Sequence, residues 1–212
     1  MSSDKRKLPE GWKWAMIKKV IENNIQVLSP ENFDDEKFIY IDISSVDNVT
    51  KKILNTNEVL TKEAPSRAKS ILKENDVIIS TVRPNLNAVA LVDKGRAGNI
   101  CSSGFCVIRL KNGYHAPYFF YYLTSPYFVE AISNMVQGAM YPAISNDDIK
   151  DFSIPLPPLL SDQIAIASEL ERKLSELEKA HQAAQRQLEA IEALPGAILR
   201  EVFDFDEENT GS

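Results

Sequence analysis

The stretch that decides the architecture is IPLPPLLSDQIAIASELERKLSELEKAHQAAQRQLEAI, residues 154–191. Ala167, Leu170, Leu174, Leu177, His181, Ala184, Leu188 and Ile191 recur at alternating spacings of 3 and 4. These are the a and d positions of a heptad, held for more than three repeats, with Glu, Lys, Arg and Gln filling most other positions. A helix from about Leu159 to Ala193 is roughly 50 Å long at 1.5 Å per residue. So narrow a seam on so long a rod calls for a partner helix. His181 and Ala184 form a weak layer in its middle, and a polar core position of this kind fixes register at a cost in stability. Three prolines within 155–158 are expected to stop regular structure ahead of the helix. Pro195-Gly196 is expected to break it, leaving Ala197–Phe203 as a short apolar terminal turn.

Upstream of the prolines the pattern is that of a β-rich head with short helices. Ile39, Ile41 and Ile43 alternate with Tyr40 and Asp42, the period of a strand with one buried face. Val77–Val82, Ala88–Val92 and Phe105–Leu110 are further strand candidates, joined through the Pro/Asn-rich loop Arg83–Asn87 and the loop Asp93–Gly98. Pro117 and Pro126 suit first helical positions, with Ser125 as N-cap of the second helix and Gly138 as its C-terminal cap. Ser145-Asn-Asp-Asp148 offers an N-cap for one more short helix.

A chain of 212 residues that is 44% hydrophobic and 25% charged buries a core without staples. Cys101 and Cys106 cannot form a disulfide framework, and with His115 and His181 they lack the spacing of a zinc site, so both read as packing residues. No apolar run approaches the roughly 20 residues of a membrane helix. The charged Met1–Lys7 leads into no signal-peptide core, so a cytoplasmic location without membrane contact is expected. The net charge of −6 is unevenly spread. Residues 1–155 carry +1 and residues 156–212 carry −7, with Asp204, Asp206, Glu207 and Glu208 in a polar tail, 204–212, expected to be disordered. The head has local basic clusters: Lys51 and Lys52; Lys62, Arg67, Lys69 and Lys73; and the scattered Arg83, Arg96, Arg109 and Lys111. Such a distribution permits DNA binding without demanding it.

Catalytic motifs are missing. There is no G-x-x-x-x-G-K and no G-x-G-x-x-G, and neither histidine has a nucleophile or carboxylate at motif spacing. Asp34-Asp-Glu-Lys37 reads as a turn surface. Leu156-Pro-Pro-Leu159 lacks the amide and the ring of the Asn-Pro-Pro-aromatic motif of amino-methyltransferases. A head, a proline hinge and a pairing arm describe a binding module that needs no cofactor and no metal.

Five segments in order resemble one repeat unit of the specificity subunit of Type I restriction–modification systems. Leu8-Pro-Glu-Gly-Trp12 is similar to the Leu-Pro-x-Gly-Trp that opens each target recognition domain. Leu72–Ile79 resembles the Leu-x-x-Gly-Asp-Ile-Leu strand, with Asn75 where glycine is usual. Gly138–Ser145 followed by Ile149 resembles the segment that closes the domain. Ile154–Leu159 with Asp162-Gln163 is similar to the entry of the conserved helix, Asp replacing Glu, and Ile198–Phe203 resembles the end of the unit. Full-length members carry two such units, and this chain carries one.

The resemblance implies an α/β (α+β) target recognition domain at 1–155, followed by a long coiled-coil helical arm at 156–203 for spacing and dimerisation. It implies a non-catalytic subunit that reads one half-site of a bipartite double-stranded DNA target and docks modification (methyltransferase) and restriction subunits. A homodimer through antiparallel arms, joined by the heptad residues above, predicts a palindromic bipartite target. For base readout the candidates are Arg83, Asn85 and Asn87, by the pairing of Arg with guanine and Asn with adenine. For phosphates they are Lys62, Arg67, Lys69 and Arg96, with Tyr141 and Ser145 joining the DNA face. The rival reading is a coiled-coil assembly protein whose head binds protein instead of DNA.

Overall fold

The computed structural model describes residues 7–28, 36–136 and 142–203. In chain order the elements begin with β1 (Lys13–Met16), α1 (Ile17–Val20), β2 (Lys37–Ile41), β3 (Asn57–Leu60) and β4 (Ala68–Ile71). They continue with β5 (Val77–Ser80), β6 (Val89–Leu91), β7 (Ile100–Ser102), β8 (Phe105–Ile108), α2 (Ala116–Thr124) and α3 (Pro126–Met135). The last are α4 (Asn146–Asp151), β9 (Ser153–Leu156) and α5 (Leu160–Phe203). Among the described residues three sheets form, β1-β9, β3-β2-β7-β4 and β6-β5-β8, their pairs antiparallel except β2–β7. The chain divides into two compact units, Met1–Ala167 and Ser168–Ser212.

The run Val77-Ile-Ile-Ser80 is buried at every position because both faces of its sheet are covered. Val77 and Ile79 enter one core with the side chains of α1–α4, whereas Ile78 enters a second core with Ile41, Leu72 and Cys101. The same holds for β2. Ile41 packs in the second core, while Phe38 and Tyr40 are buried in a third with Ala68 and Ile100. The alternation Ile39/Ile41/Ile43 thus marks one buried face of two, and Ile43 lies past the strand, in a short 3-10 turn capped by Asp42.

The family-like motifs owe their form to backbone geometry. Gly11 takes φ +81° in the opening turn, where the Trp12 amide donates to the Pro9 carbonyl. Asn75 takes φ +68°, which explains why glycine is usual at that position and why asparagine is an acceptable replacement. Ser145 caps α4 as the sequence suggests, its hydroxyl accepting from the Asp148 amide at 3.0 Å while the Asp148 carboxylate accepts from the Ser145 amide. Ser125 stands at the cap of α3, but its hydroxyl donates back to the Tyr122 carbonyl instead.

Two expectations about proline are corrected. Pro155 does not stop regular structure: it lies within β9, opposite Trp14 of β1, in a two-stranded sheet where a missing ladder donor is tolerated. Pro195 does not end the arm. The helix continues to Phe203, because proline's fixed φ is helical and Ala193, Leu194 and the apolar run after Gly196 are content to propagate it at the loss of one hydrogen bond. At the unbroken spacing the seam goes on through Ile198 and Val202, both exposed. Gly138, Tyr141, Asp34, Asp35 and the tail 204–212 lie outside the described residues.

Both cysteines are fully buried. Burial pushes each thiol up to about 12, the nearby Asp76 carboxylate adding to the effect at Cys101. At pH 8 iodoacetamide is therefore expected to label neither thiol in the native chain and both in denaturant, as mass spectrometry would show. The folded state holds these protons longer than the unfolded one, so the contribution is intact below about pH 9 and is lost as pH rises toward 12.

Candidate nucleic-acid interface

A cleft of about 1040 Å³ opens in the first unit, lined by the loop after β2, the segment before β4, the turn between β5 and β6, and residues 142–143. Its walls are held by local hydrogen bonding. On one side Asp42 Oδ1 accepts from the Ser44 and Ser45 amides at 2.9 and 3.2 Å. Partial burial raises the Asp42 carboxyl, but the bonds from Ser44 and Ser45 together outweigh it and hold the group below its ordinary range. Next, Asp47 Oδ1 accepts from the Thr50 amide at 2.6 Å and the Val49 amide at 3.1 Å, and the Thr50 bonds above all hold its carboxyl below the ordinary range. Both carboxylates are thus spent on organising their own loops.

On the other side Pro84-Asn-Leu86 forms a 3-10 turn flanked by two left-handed residues, Arg83 at φ 50° and Asn87 at φ 53°. The Arg83 amide donates to the Pro142 carbonyl, and the Val82–Ala143 bridge ties the turn to the segment before α4. Asn87 Nδ2 donates to the Thr124 carbonyl at 3.0 Å. The two walls are joined by Lys51, itself left-handed at φ 59°, whose Nζ donates to the Asn87 carbonyl at 2.6 Å. Among the described residues five non-glycine residues take positive φ; of these Asn55 and Arg83 line the cleft, and Lys51 and Asn87 are bonded to each other behind it. At Lys51 and Arg83 a left-handed backbone costs of order 1–3 kcal/mol each, less at the asparagines, and such strain persists where the surroundings over-determine it, characteristically at functional sites.

Two arginines line the cleft, Arg67 and Arg83. Among the described residues no carboxylate is paired with either guanidinium. Gly104 makes room for Arg67: a Cβ there would sit 3.0 Å from Arg67 Nη2 and 2.9 Å from Ile43 Cδ1. The Gly104 carbonyl accepts both the amide and the hydroxyl of Thr81, fixing the floor beneath. Chemically, the cleft offers two planar cationic forks suited to phosphate or to a guanine edge, set among amides, hydroxyls and the apolar Leu86 and Val49.

The remaining predicted contacts are placed elsewhere. Lys62, Lys69 and Asn85 are exposed but outside the cleft lining. Asn87 is only half exposed, and its amide group is committed to Thr124. Arg96 is half-buried, its Nη2 donating to the Ile53 carbonyl at 3.4 Å. Ser145 is exposed, with its hydroxyl engaged by Asp148. Arg109, read as one of the scattered surface cations, is buried against Asp76 in an ion pair. Residues the sequence did not single out, notably Asn48, Val49, Asn55 and Leu86, line the cleft. Adjacent asparagines in turn-rich loops were the only signal for them.

The arm's seam is likewise partly redistributed. Ala167 is 2% exposed and belongs to the head's core, where the first turns of α5 pack. Gln163 is buried with it, and its Oε1 accepts the His115 amide at 3.0 Å. The rest of the seam, Leu170, Leu174, Leu177, His181, Ala184, Leu188 and Ile191, is exposed, the large apolar members by 37–65%. Arg172 bridges Glu169 and Glu176 along one flank, and the Arg172 bonds, with help from Lys173, lower the Glu169 carboxyl to about 2. Among the described residues no helix is long and apolar enough to cross a membrane.

Comparison with known proteins gives this geometry a family. Residues 9–189 match the model of the Type I restriction modification DNA specificity domain. Over 196 residues the chain is 21% identical to the Type I restriction enzyme EcoDI specificity subunit of Escherichia coli, covering 92% of this chain and 42% of that protein. The solved HsdS subunit from Thermoanaerobacter tengcongensis superposes with a TM-score of 0.78 at 32% identity, over 99% of this chain and 54% of that one. A chain solved in work on complex assembly and conformational transition of the type I R-M system gives 0.83 at 31% identity, over 98% and 53%. The chain thus spans about half the length of the relatives it matches. A mixed α/β head, a long heptad-bearing helix and a family match over most of the sequence make one statement: this chain belongs to the Type I restriction–modification specificity subunit family.

Proposed function

We propose that this chain is the DNA-reading subunit of a Type I restriction–modification complex working in the cytoplasm. The head, 1–155, reads one half-site of a bipartite duplex target. The arm, 156–203, sets the spacing, docks the modification subunits and pairs with a second copy in antiparallel fashion. The chain itself performs no chemistry; methyl transfer and cleavage belong to the partner subunits. The observation that carries the reading is the cleft, where two arginines with no carboxylate partner among the described residues stand beside left-handed backbone. The exposed apolar seam of the arm, from Leu170 to Ile191, supports pairing. An arm of 44 residues, about 66 Å at 1.5 Å per residue, exceeds the roughly 34–36 Å between half-sites one helical turn apart.

The test is the map of methylated adenines in the host genome with this gene intact and deleted. A split motif that vanishes with the gene supports the reading, and a palindromic one supports self-pairing. No change while the partner genes are expressed would transfer the head to protein binding. At the level of residues, Arg67→Ala is expected to weaken binding of the assembled complex evenly across sequences. It should reduce the dependence of log affinity on log salt by about 1. Arg83→Ala is expected to relax discrimination at one base pair by about 1–3 kcal/mol. Salt-titrated fluorescence anisotropy on cognate and scrambled duplexes distinguishes the two.

A further inference from the structure

Two arginines, and two carboxylates bound to their own loops, account for the charge in the cleft but leave its apolar lining unexplained. Leu86 is 44% exposed there, on the same turn as Arg83. Its position is expensive to maintain. Both flanking residues are left-handed, Pro84 between them is buried, and Lys51 is drawn from the opposite wall to the Asn87 carbonyl. Asn87 Oδ1 is buried with no hydrogen-bond partner among the described residues. A leucine held rigidly and half outside by such a turn loses little entropy when something covers it, the condition for a specific contact. In a duplex groove the apolar feature that distinguishes one base from the rest is the C5-methyl of thymine, displayed in the major groove beside the edges an arginine reads. Resting on the DNA-reading function above, we propose that Leu86 is a specificity-determining residue that reads a thymine methyl next to the base pair contacted by Arg83.

The alternative use of an exposed leucine is a wedge that unstacks a base step and kinks the duplex. With more than half of its surface already packed, Leu86 has a methyl-sized contact left to make, not the reach of a wedge. Thymine recognition also predicts a dependence on a single carbon atom, which a wedge does not.

The experiment uses the full chain assembled with its modification subunits and duplexes carrying the half-site from the methylation map. Each thymine is replaced in turn by uracil, which removes the methyl and nothing else. One replacement is expected to weaken the wild-type complex about fourfold, the worth of one buried methyl-sized group. Leu86→Ala should lose about the same on the parent duplex and show no further loss on that uracil duplex, while Val49→Ala keeps the full uracil effect. The proposal is overturned if no thymine in the half-site is sensitive, if Leu86→Ala retains the uracil effect, or if Val49→Ala abolishes it. A wild-type complex that does not prefer the half-site to a scrambled duplex overturns the DNA-reading function itself, and is recognised before any uracil is introduced.

Discussion

Asp76→Asn is expected to destabilise the head by about 3–5 kcal/mol, the cost of leaving one member of a buried ion pair without its partner. Asp76 is 1% exposed and Arg109 6%. The guanidinium meets the carboxylate side-on, Nε to Oδ1 at 2.8 Å and Nη2 to Oδ2 at 2.6 Å. Nη2 also donates to the Ile71 carbonyl at 2.9 Å, and Oδ2 accepts the Lys73 amide at 2.8 Å. Asparagine fits the space but removes the negative charge and turns an NH2 toward a donor. Arg109→Met should cost a similar amount by stranding the carboxylate. The double variant should lose much less than the sum of the two, because a buried pair is worth little more than an apolar replacement of similar volume. Urea unfolding at fixed chain concentration reads all three as shifts in midpoint at constant slope. A loss under 1 kcal/mol in either single variant would falsify the assignment of this pair as the keystone of the β5–β8 junction.

The same pair shows what the sequence made legible. Val77–Val82 and Phe105–Leu110 stand out as strands from their apolar runs; the structure confines them to Val77–Ser80 and Phe105–Ile108, which puts Asp76 just before one and Arg109 just after the other. Once Val77 is set opposite Ile108 in an antiparallel ladder, those two charges occupy the next position of the register and must meet. Composition counted Arg109 as a surface cation because pairing register is non-local and no property of residues 105–110 encodes it. Strands β1 and β9 were lost for the same reason, being four residues each and joined only across most of the head, one of them through a proline.

The candidate site was legible in its chemistry and not in its orientation. Arg83, from a strand-connecting loop, and Arg67, from a basic cluster, do line the cleft, yet Asn85 of the same loop and Lys62 of the same cluster do not. What separates them is the left-handed backbone at Arg83, and a positive φ in arginine or lysine has no local signature of the kind glycine or asparagine supplies. Ala167 illustrates the opposite case. Its spacing was correct for the seam, but the head claims it first, since a small side chain lets the first turns of α5 pack closely.

In the self-paired assembly proposed above, Leu177→Asp is expected to convert the chain from dimer to monomer. An antiparallel pair sets each a position against a d position of the second copy. Aligning His181 with Ala184 of the second copy gives the imidazole room beside a small residue. It also sets Leu177 against Leu188 and Leu174 against Ile191, large against large in the layers on either side of that centre. A parallel pair would instead set His181 against itself. By symmetry one substitution removes two leucines from the seam and places two carboxylates there. At about 1.5–3 kcal/mol per buried leucine the dissociation constant should rise by roughly two to four orders of magnitude. Sedimentation equilibrium measures it, with the thermal midpoint of the head as the control for folding, since Leu177 lies outside the head's core. In this alignment Glu171 faces Glu192 at the rim, so added salt should leave the dimer intact or tighten it, opposite to its effect on DNA binding. In cells the same substitution should erase a palindromic methylation motif. A parent chain that is monomeric at tens of micromolar, with an asymmetric motif in the host, would assign the second half of the reader to a different polypeptide.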